Sequence, residues 1–345
     1  MRRSYKLAAV LVVASVAAWY GWRQYERYWL SRPIEALATP AAFEVAPGDS
    51  VRAVADSLHA RGLLDRPGIW VRYAKRSGHT TRIKVGEYQL PARATPAGLL
   101  EQFVAGHVIL HTLTLPEGWN IRQALAAIRS HPKVMVELAG LPEQEWMARL
   151  GLSGLHPEGQ FFPDTYRFPR GTTDRELLAQ AHAKLQQELQ AAWRRRAPDL
   201  PLDSPYQVLI LASLVEKETG AEDERPLIAG VFVNRLRKGM LLQTDPTVIY
   251  GIGDEFDGNL RRRDLRGDTP YNTYVRRGLP PTPIALAGRA ALEAAVRPAE
   301  TDALYFVATG KGDGRHFFAA TLAAHNANVK RHLANLRAAR RAALP

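Results

Sequence analysis

Cysteine is absent from this sequence of 345 residues, which excludes thiol nucleophiles, thiolate zinc sites and iron–sulfur clusters. The absence does not decide the redox compartment, because a chain of this length with 46% apolar residues can build cores for about two domains without disulfides. Low-complexity segments and repeats of solenoid period are also lacking. We therefore expect a folded chain in which disorder is confined to short segments.

Acidic residues are scarce near both ends of the chain, and this distribution accounts for most of the net charge of +12. Residues 1–32 contain six basic side chains and one acidic side chain, and residues 326–345 contain five basic side chains and none that is acidic. The body between them is nearly neutral. A nucleic-acid enzyme concentrates basic charge around its working cleft, so nucleic acid is not expected as a partner. The basic tail is compatible with contact to anionic lipid or wall polymer.

A long apolar run is lacking as well: the uncharged stretch at residues 7–22 has 16 residues, slightly fewer than the roughly 20 that span a bilayer. Basic residues precede it, aromatic residues lie close to its end, and Arg23 follows. These flanks predict a single transmembrane helix at residues 7–22 with a cytoplasmic tail at residues 1–6, and hence an inner-membrane protein whose body lies outside the cytoplasm. A signal peptide cleaved at Ser15–Ala17 is the alternative, and it also exports the body.

Beyond a juxtamembrane stem at residues 23–42, the sequence predicts an α+β fold in two parts. Residues 43–45 alternate like a strand, a Pro-Gly turn follows, and a helical pattern begins at Val51. This order predicts a small LysM-like α/β module at residues 43–112, and a generic α/β packing domain fits the same residues equally well. Residues 113–345 are predicted to form a larger mixed α+β domain.

The most informative segment of that domain is an apolar helix. Ser204 and Gln207 form a capping-box pattern with Pro205 at the first helical position, and the helix is predicted to end at Gly220 in a left-handed cap. With one exception, residues 208–215 are apolar on every side. This pattern predicts a central, buried helix.

Two glutamates, Glu216 and Glu218, occupy the last turn of this helix, where the helix dipole disfavours negative charge. The acidic residues at positions 222–224 differ, since the dipole of the next helix accounts for them. Glu218 continues the apolar stripe of the helix, whereas Glu216 has smaller and more polar neighbours. Desolvation first and the helix dipole second are expected to raise the pKa of Glu218, as a general acid requires. A structural ion pair of Glu218 with Lys217 or Arg225 is the alternative interpretation.

Several longer blocks carry a resemblance to a known family. The sequence resembles the endolytic murein transglycosylases of the YceG-like family in the blocks LASLVEKET (211–219), VFVNRL (231–236), LLQTDPTVIYG (241–251), TPYNTY (269–274), GLPPTPI (278–284), LYFVATGKGDGRHFF (304–318) and HN (325–326). The resemblance implies one membrane span, a LysM-like module and a catalytic domain whose catalytic glutamate is Glu218. It also implies peptidoglycan glycan strands as substrate and partnership with peptidoglycan synthases. Thr282 and Ala319 depart from the family pattern, which concerns local loop geometry.

The implied reaction cleaves the bond between N-acetylmuramic acid and N-acetylglucosamine within glycan strands. Glu218 is expected to protonate the bridging oxygen and then to deprotonate the muramic acid 6-hydroxyl, which closes onto C1 as a 1,6-anhydro end. Ordinary glycosidases need two carboxylates, and no second acid stands out, since Asp245 and Pro246 fit a helix cap. No metal or cofactor is expected, because the histidines form no convincing ligand set. The rival functions are a muramidase-type hydrolase of the same bond and a non-catalytic peptidoglycan-binding scaffold.

Seven further residues are predicted to bind the glycan: Gln243, Thr244, Tyr271, Asn272, Tyr274, His316 and Asn326. The segment at residues 271–274 combines flat apolar faces with amide and hydroxyl groups, which suits stacking on sugar rings and pairing with N-acetyl groups. The histidine and the second asparagine are expected to close the cleft from a hairpin strand and from the last helix. Structural packing explains the tyrosines about as well.

Overall fold

The structure, a computed structural model, describes residues 2–342. It contains two compact units, Met1–Thr112 with Arg167–Thr172, and Leu113–Tyr166 with Thr173–Pro345. The helices are α1 (Arg2–Ser31), α2 (Val51–Ala60), α3 (Pro67–Arg76), α4 (Pro96–Ala105), α5 (Ile121–Ser130), α6 (Glu143–Arg149), α7 (Asp174–Arg194), α8 (Pro205–Glu218), α9 (Arg225–Arg237), α10 (Asp245–Ile252), α11 (Arg262–Arg266), α12 (Arg289–Val296) and α13 (Leu322–Ala342). The strands are β1 (Ala41–Val45), β2 (Gly86–Leu90), β3 (Leu110–Thr114), β4 (Thr165–Pro169), β5 (Tyr305–Ala308) and β6 (His316–Ala319). They pair in three two-stranded sheets, β1 with β2, β3 with β4 and β5 with β6, which confirms the predicted α+β class.

In the first unit, β1 and β2 are antiparallel, with Phe43 opposite Tyr88, and α2 and α3 lie between them in sequence. Ser50 caps α2, since its side chain accepts a hydrogen bond at 3.1 Å from an amide of the first turn. Phe103 of α4 packs against Phe43 and Tyr88, with ring centroids 5.6 and 4.7 Å away, in the buried core. The strand and the helix predicted at the start of this region are both present.

α1 extends without interruption past the end of the predicted transmembrane segment. Among residues 2–342, no helix is at once long enough and apolar enough to cross a membrane, so the predicted span at residues 7–22 is not supported. The limit lies in the sequence, because Lys6 and Arg23 bound the uncharged run at 16 residues, fewer than the roughly 20 that a span needs.

The last turns of α1, in the region predicted as a stem, belong to the core of the first unit. Trp29 and Leu30 are buried there, and the indole N–H of Trp29 donates to Asp65 at 2.7 Å. The buried Glu26 carboxylate accepts two hydrogen bonds from the Arg76 guanidinium, at 2.7 and 2.9 Å. Because an isolated buried carboxylate is costly, Arg76 stabilises the attachment of α1 to α3.

α8 is the central helix of the second unit. Its residues from Val208 to Val215 are all buried, as the apolar sequence predicts, and α7, α9 and α12 pack around it. Ser213 is the polar exception in this stretch. Its hydroxyl donates to the Ile210 carbonyl at 2.7 Å and accepts from the Ile284 amide at 3.0 Å, so its burial leaves no lost hydrogen bond.

α8 ends at Glu218, and the predicted left-handed cap at Gly220 is wrong. The capping residue is Thr219, which has an extended backbone with φ −145° and ψ 136°. Its hydroxyl accepts a hydrogen bond from the Ala221 amide at 3.0 Å. Because this hydroxyl organises the turn, no glycine with positive φ is needed. Glu218 is therefore the last helical residue.

Candidate active site

The Glu218 carboxyl lies at the end of α8, beyond the stretch 208–215, which is buried and apolar apart from Ser213, and Glu218 itself is partly exposed. The Thr244 hydroxyl donates a hydrogen bond to Glu218 Oε1. The pKa of Glu218 is raised to about 7: desolvation is the largest cause and the charge of Asp245 adds to it, while the Thr244 hydrogen bond and the Arg235 charge oppose the rise. The raised pKa that the sequence predicts is therefore present, with desolvation as its main cause.

A buried group of threonines holds the Thr244 hydroxyl in place. The Thr244 amide donates to Thr273 Oγ1 at 3.1 Å, and the Thr247 hydroxyl donates to the Thr244 carbonyl at 2.7 Å. The hydroxyl groups of Thr247 and Thr273 are 2.9 Å apart. All three side chains are buried, so the partner of Glu218 has little freedom to move.

Gln243 precedes this threonine and has a backbone conformation that is rare for a residue with a side chain. Its φ is 51°, in the left-handed region, and its amide donates to the Thr273 carbonyl at 3.1 Å. Such strained residues persist only where the surrounding structure holds them, and they concentrate at functional sites. The side chain of Gln243 is exposed beside the site, as a contact to substrate requires.

Arg235 of α9 is a site residue that the sequence analysis did not single out, because an arginine in the last turn of a helix is already explained by the helix dipole. The residue is only 7% exposed. Its guanidinium donates to the carbonyls of Leu304, Leu241 and Leu242, at 2.6, 3.1 and 2.8 Å, and lies 5.2 Å from the centroid of the Tyr305 ring. It brings a positive charge near Glu218 and holds the segment that leads to Thr244.

Tyr274 contacts Asp245, the residue that follows Thr244. Its hydroxyl donates to Asp245 Oδ1 at 2.5 Å. Burial raises the pKa of Tyr274 most, and the hydrogen bond and charge of Asp245 raise it further. Thr244, not Asp245, is the N-cap of α10, so the cap predicted at Asp245 is displaced by one residue and the carboxylate is engaged with Tyr274 instead.

Tyr271 and Asn272, two of the predicted glycan-binding residues, are both engaged by other side chains or by the backbone of the protein. The Tyr271 ring packs edge-on against Tyr250 at 4.8 Å, and its hydroxyl lies 2.9 Å from Thr282 Oγ1. Asn272 is fully buried. Its amide nitrogen donates to the carbonyls of three residues in the segment 264–267, and its oxygen accepts from the Tyr274 amide at 2.9 Å. The side chain therefore organises the loop and is not exposed to a substrate.

Among the described residues, neither His316 nor Asn326 forms a hydrogen bond with the Glu218 carboxyl. His316 Nδ1 is 2.9 Å from the buried Glu224 carboxylate, which also accepts from the His316 amide at 3.1 Å. Glu224 therefore anchors the β5–β6 hairpin. The helix dipole, by which the sequence analysis accounted for the acidic residues at positions 222–224, does not explain this contact. Asn326 is exposed on α13. Its neighbour His325 stacks on Tyr305 with ring centroids 5.1 Å apart.

Glu216, the other glutamate in the last turn of α8, is a structural residue. Its carboxylate is 3.4 Å from Arg225 Nη2 and accepts from the Gly288 amide at 3.0 Å. Desolvation is the main cause that raises its pKa. Arg225 thus pairs with Glu216, and the alternative in which it pairs with Glu218 is not observed. The choice of Glu218 over Glu216 as the acid agrees with this arrangement.

A buried carboxyl with a raised pKa, Glu158, was not foreseen from the sequence. The residue is 1% exposed and accepts hydrogen bonds from the amides of Ile121, at 3.0 Å, and Gly159, at 3.3 Å. Desolvation raises the pKa of Glu158 to about 7, and a hydrogen bond from Tyr250 opposes the rise. Gly159 is required beside it, because its φ is +74° and a Cβ would lie 2.4 Å from Pro283.

The profile of the YceG-like family matches residues 43–331. The chain belongs to this family. A Bacillus subtilis protein named endolytic murein transglycosylase is 32% identical over 324 residues, which cover 89% of each chain. A Streptococcus pneumoniae protein of the same name is 29% identical and matches 84% of this chain and 58% of its own. A crystal structure of a YceG-like protein from Listeria monocytogenes, 28% identical, matches with a TM-score of 0.52 and covers 84% of this chain and 99% of its own.

Family membership confirms the resemblance carried by the sequence blocks, including the expected enzyme class at the level of the family. Three of the YceG-like blocks meet at the carboxyl: one contains Glu218, one contains Thr244 and one contains Thr273. At Thr282, where the family pattern differs, the hydroxyl donates to the Pro283 carbonyl at 2.8 Å and contacts Tyr271. This departure therefore has a local structural role.

Metal binding is not indicated by the arrangement of side chains. Among the described residues 2–342, no group of three or more histidine, aspartate and glutamate side chains could hold a metal ion. The carboxyl groups near Glu218 have protein partners: Asp245 accepts from Tyr274, and Glu216 pairs with Arg225. The chemistry that this site offers is proton transfer by one carboxyl whose pKa lies near neutrality.

Proposed function

We propose that this YceG-like chain is an endolytic lytic transglycosylase of peptidoglycan, with Glu218 as its catalytic acid and base. The observation that carries the proposal is a partly exposed carboxyl at the end of a buried helix, with its pKa raised to about 7. At neutral pH such a group is protonated in a large fraction of molecules and still accepts a proton after it has donated one. The names of the Bacillus and Streptococcus relatives support the substrate class.

In the proposed reaction, Glu218 donates its proton to the oxygen that joins C1 of N-acetylmuramic acid to N-acetylglucosamine, and that C1–O bond breaks. The resulting carboxylate takes the proton of the muramic acid 6-hydroxyl. The oxygen then bonds to C1 and closes the 1,6-anhydro ring, so no water is consumed. Because Thr244 donates to Oε1, Oε2 is the atom that transfers the proton.

Two charged residues set the balance between the two forms of Glu218. Asp245 favours the protonated form, which the first step needs. Arg235 favours the carboxylate, which develops as the proton leaves and which the second step needs. One carboxyl is therefore balanced to act first as acid and then as base.

The hydrolase alternative requires a second carboxylate to position water. Asp245 is the candidate, because its charge acts on Glu218, but its Oδ1 accepts the Tyr274 hydroxyl at 2.5 Å. In the scaffold alternative, the raised pKa of Glu218 has no role. We favour the lytic reaction because it needs only the one carboxyl that the site provides.

The substrate also determines where the enzyme acts. Peptidoglycan lies outside the cytoplasmic membrane, so the proposal places the catalytic unit there. The strand–helix–helix–strand order of β1, α2, α3 and β2 supports a glycan-associated, LysM-like role for the first unit. Association with peptidoglycan synthases is the remaining expectation, and copurification with those enzymes would test it.

The decisive experiment is digestion of purified sacculi with the full chain, with Glu218→Gln and with Asp245→Asn, followed by mass analysis of the products. We expect products with 1,6-anhydro-muramyl ends from the full chain and from Asp245→Asn, and none from Glu218→Gln. Hydrated reducing ends that disappear in Asp245→Asn would identify a hydrolase. Absence of products from the full chain would favour the scaffold.

A further inference from the structure

A cleft of about 380 Å³ opens in the second unit, and its lining includes residues adjacent in sequence to Glu218 and to Asp245. Lys217, which precedes Glu218, lines it, and so does Pro246, which follows Asp245. Its volume falls in the range of specific ligand sites. The mechanism proposed above uses none of its lining residues, so this cleft needs its own explanation.

The lining of the cleft combines flat aromatic faces with amide groups. Tyr250 and Phe256 supply the aromatic surface, and Asn120 and Gln123 stand at the start of α5. The two residues form a capping box, in which the side-chain oxygen of each accepts a hydrogen bond at 2.9 Å from the backbone amide of the other. The NH₂ groups of both side chains therefore remain to donate to a ligand carbonyl. Aromatic faces beside amide donors suit a sugar ring that carries an N-acetyl group.

The buried Glu158 explains how the aromatic surface is held. Its carboxyl accepts a hydrogen bond from the Tyr250 side chain, and Tyr271 packs edge-on against the Tyr250 ring at 4.8 Å. Glu158 also accepts from the amide of Ile121, the first residue of α5, at 3.0 Å. One carboxyl thus ties Tyr250 to the helix that carries the amide donors. A surface fixed in this way is arranged before the ligand arrives.

We propose that this cleft is a binding subsite for an N-acetylhexosamine ring of the glycan strand next to the bond that is cut, with Tyr250 and Phe256 as its stacking surface. The inference rests on the proposed function. An enzyme that cuts within a strand must hold sugars beyond the reacting pair. The cleft is lined by Lys217, which precedes the reacting carboxyl, and by Pro246, which lies two residues after its hydrogen-bond donor Thr244, as a neighbouring subsite requires. Glu158 is then a positioning residue that acts through Tyr250.

Binding to a catalytically inactive chain tests the subsite separately from catalysis. The probe is a tetrasaccharide of two N-acetylglucosamine–N-acetylmuramic acid repeats, titrated into Glu218→Gln with and without Phe256→Ala. We expect Phe256→Ala to weaken binding about tenfold, the loss of one stacking contact. The matched control is Phe317→Ala, a partly buried phenylalanine of β6 that does not line the cleft. Equal affinity with and without Phe256→Ala would overturn the inference.

Two further variants separate recognition from folding. Phe256→Leu keeps an apolar side chain without the flat face, so it serves if Phe256→Ala unfolds, and the same tenfold loss is expected. Glu158→Gln on the active chain is expected to raise KM for the strand while the pH at which kcat falls stays the same. A Glu158→Gln enzyme with unchanged KM contradicts the positioning role. If the unmodified chain releases no anhydro ends, the proposed function fails, whereas anhydro ends with intact binding by Phe256→Ala refute only the subsite.

Discussion

At the scale of single residues, the environment of Glu218 determines its chemistry. Glu216 and Glu218 occupy the same helical turn and are both desolvated. Glu216 has Arg225 and the Gly288 amide as partners, so its carboxylate is engaged inside the protein. Glu218 accepts a hydrogen bond from one hydroxyl group and is partly exposed to solvent. The two glutamates therefore differ in their partners, and this difference leaves Glu218 as the candidate acid.

The pH dependence of activity follows from the protonated form of Glu218. We expect kcat/KM to be constant below pH 7 and to fall about tenfold per pH unit above about 7, because the acid must hold its proton. Removing a negative charge makes ionisation easier, so Asp245→Asn should lower the pKa of Glu218 and move the fall to lower pH. To check this, the rate at which each enzyme releases anhydro ends is measured at about six pH values between 5 and 9. A shift of the fall to higher pH in Asp245→Asn contradicts it.

The same carboxyl links stability to pH. Its folded pKa of about 7 lies above the value of 4.5 expected for a free glutamate, so the folded chain binds more protons between these values. The contribution of this carboxyl to stability is thus largest below pH 4.5 and is lost as pH rises through 7, by on the order of 3 kcal/mol in total. We expect Glu218→Gln to be more stable than the unmodified chain at pH 8 and little different at pH 4. Urea unfolding at both pH values measures this.

Glu222→Gln is the matched control for that comparison, because Glu222 is exposed. It should leave the pH dependence of unfolding unchanged. Glu158 is buried with a similarly raised pKa, so part of the pH dependence will persist in Glu218→Gln. If Glu218→Gln gains no stability at alkaline pH, the carboxyl is not desolvated as the structure shows it.

At the scale of elements, the site depends on how one loop is attached to one helix. α8 brings the carboxyl, and the threonine group formed by Thr244, Thr247 and Thr273 brings its hydrogen-bond donor. Arg235 of α9 holds the carbonyls just before that loop. The hydrogen bonds of Thr244 to Glu218 and to Thr273 join residues 26 and 29 positions apart, so the donor is positioned by packing and not by helix or turn propensity.

The threonine group provides a prediction at this scale. Thr273→Val keeps the shape of the side chain but removes the hydroxyl that accepts from the Thr244 amide, so a buried N–H loses its partner. We expect unfolding to become easier by roughly 1–3 kcal/mol and kcat to fall, since the Thr244 hydroxyl is less well placed. Thr273→Ser retains the hydroxyl and should restore most of both properties. Equal loss in the two variants would contradict the role assigned to the hydroxyl, because Thr273→Ser retains it.

At the scale of the whole molecule, each unit has its own hydrophobic core. In the first unit the buried Glu26 carboxylate depends on Arg76, which is partly exposed. Arg76→Met leaves that carboxylate without its partner and should destabilise the first unit by about 3 kcal/mol or more. Faster hydrogen exchange of the β1 and β2 amides measures this change. The control is Lys75→Met, an exposed neighbour on α3, which should exchange as the unmodified chain does.

The sequence alone was sufficient for the features that depend on local periodicity and charge. The apolar pattern of residues 208–215 determined a buried α8, and its continuation to Glu218 indicated a carboxyl with a raised pKa. The family blocks identified the YceG-like family. These inferences succeeded because helix burial follows the period of the side chains. The 16-residue run at the N-terminus shows the limit, since its flanks predicted a span that its length does not support.

Tertiary structure decided which polar side chains meet. Asn272 has the right chemistry for a substrate contact, yet the fold buries it among backbone carbonyls. Arg235 and Glu158 showed no distinguishing pattern in the sequence, and packing placed one near the Glu218 carboxyl and the other behind Tyr250. The physical reason is that a hydrogen bond or a desolvated charge depends on atoms brought together from distant parts of the chain. Periodicity and residue type carry no information about those distances.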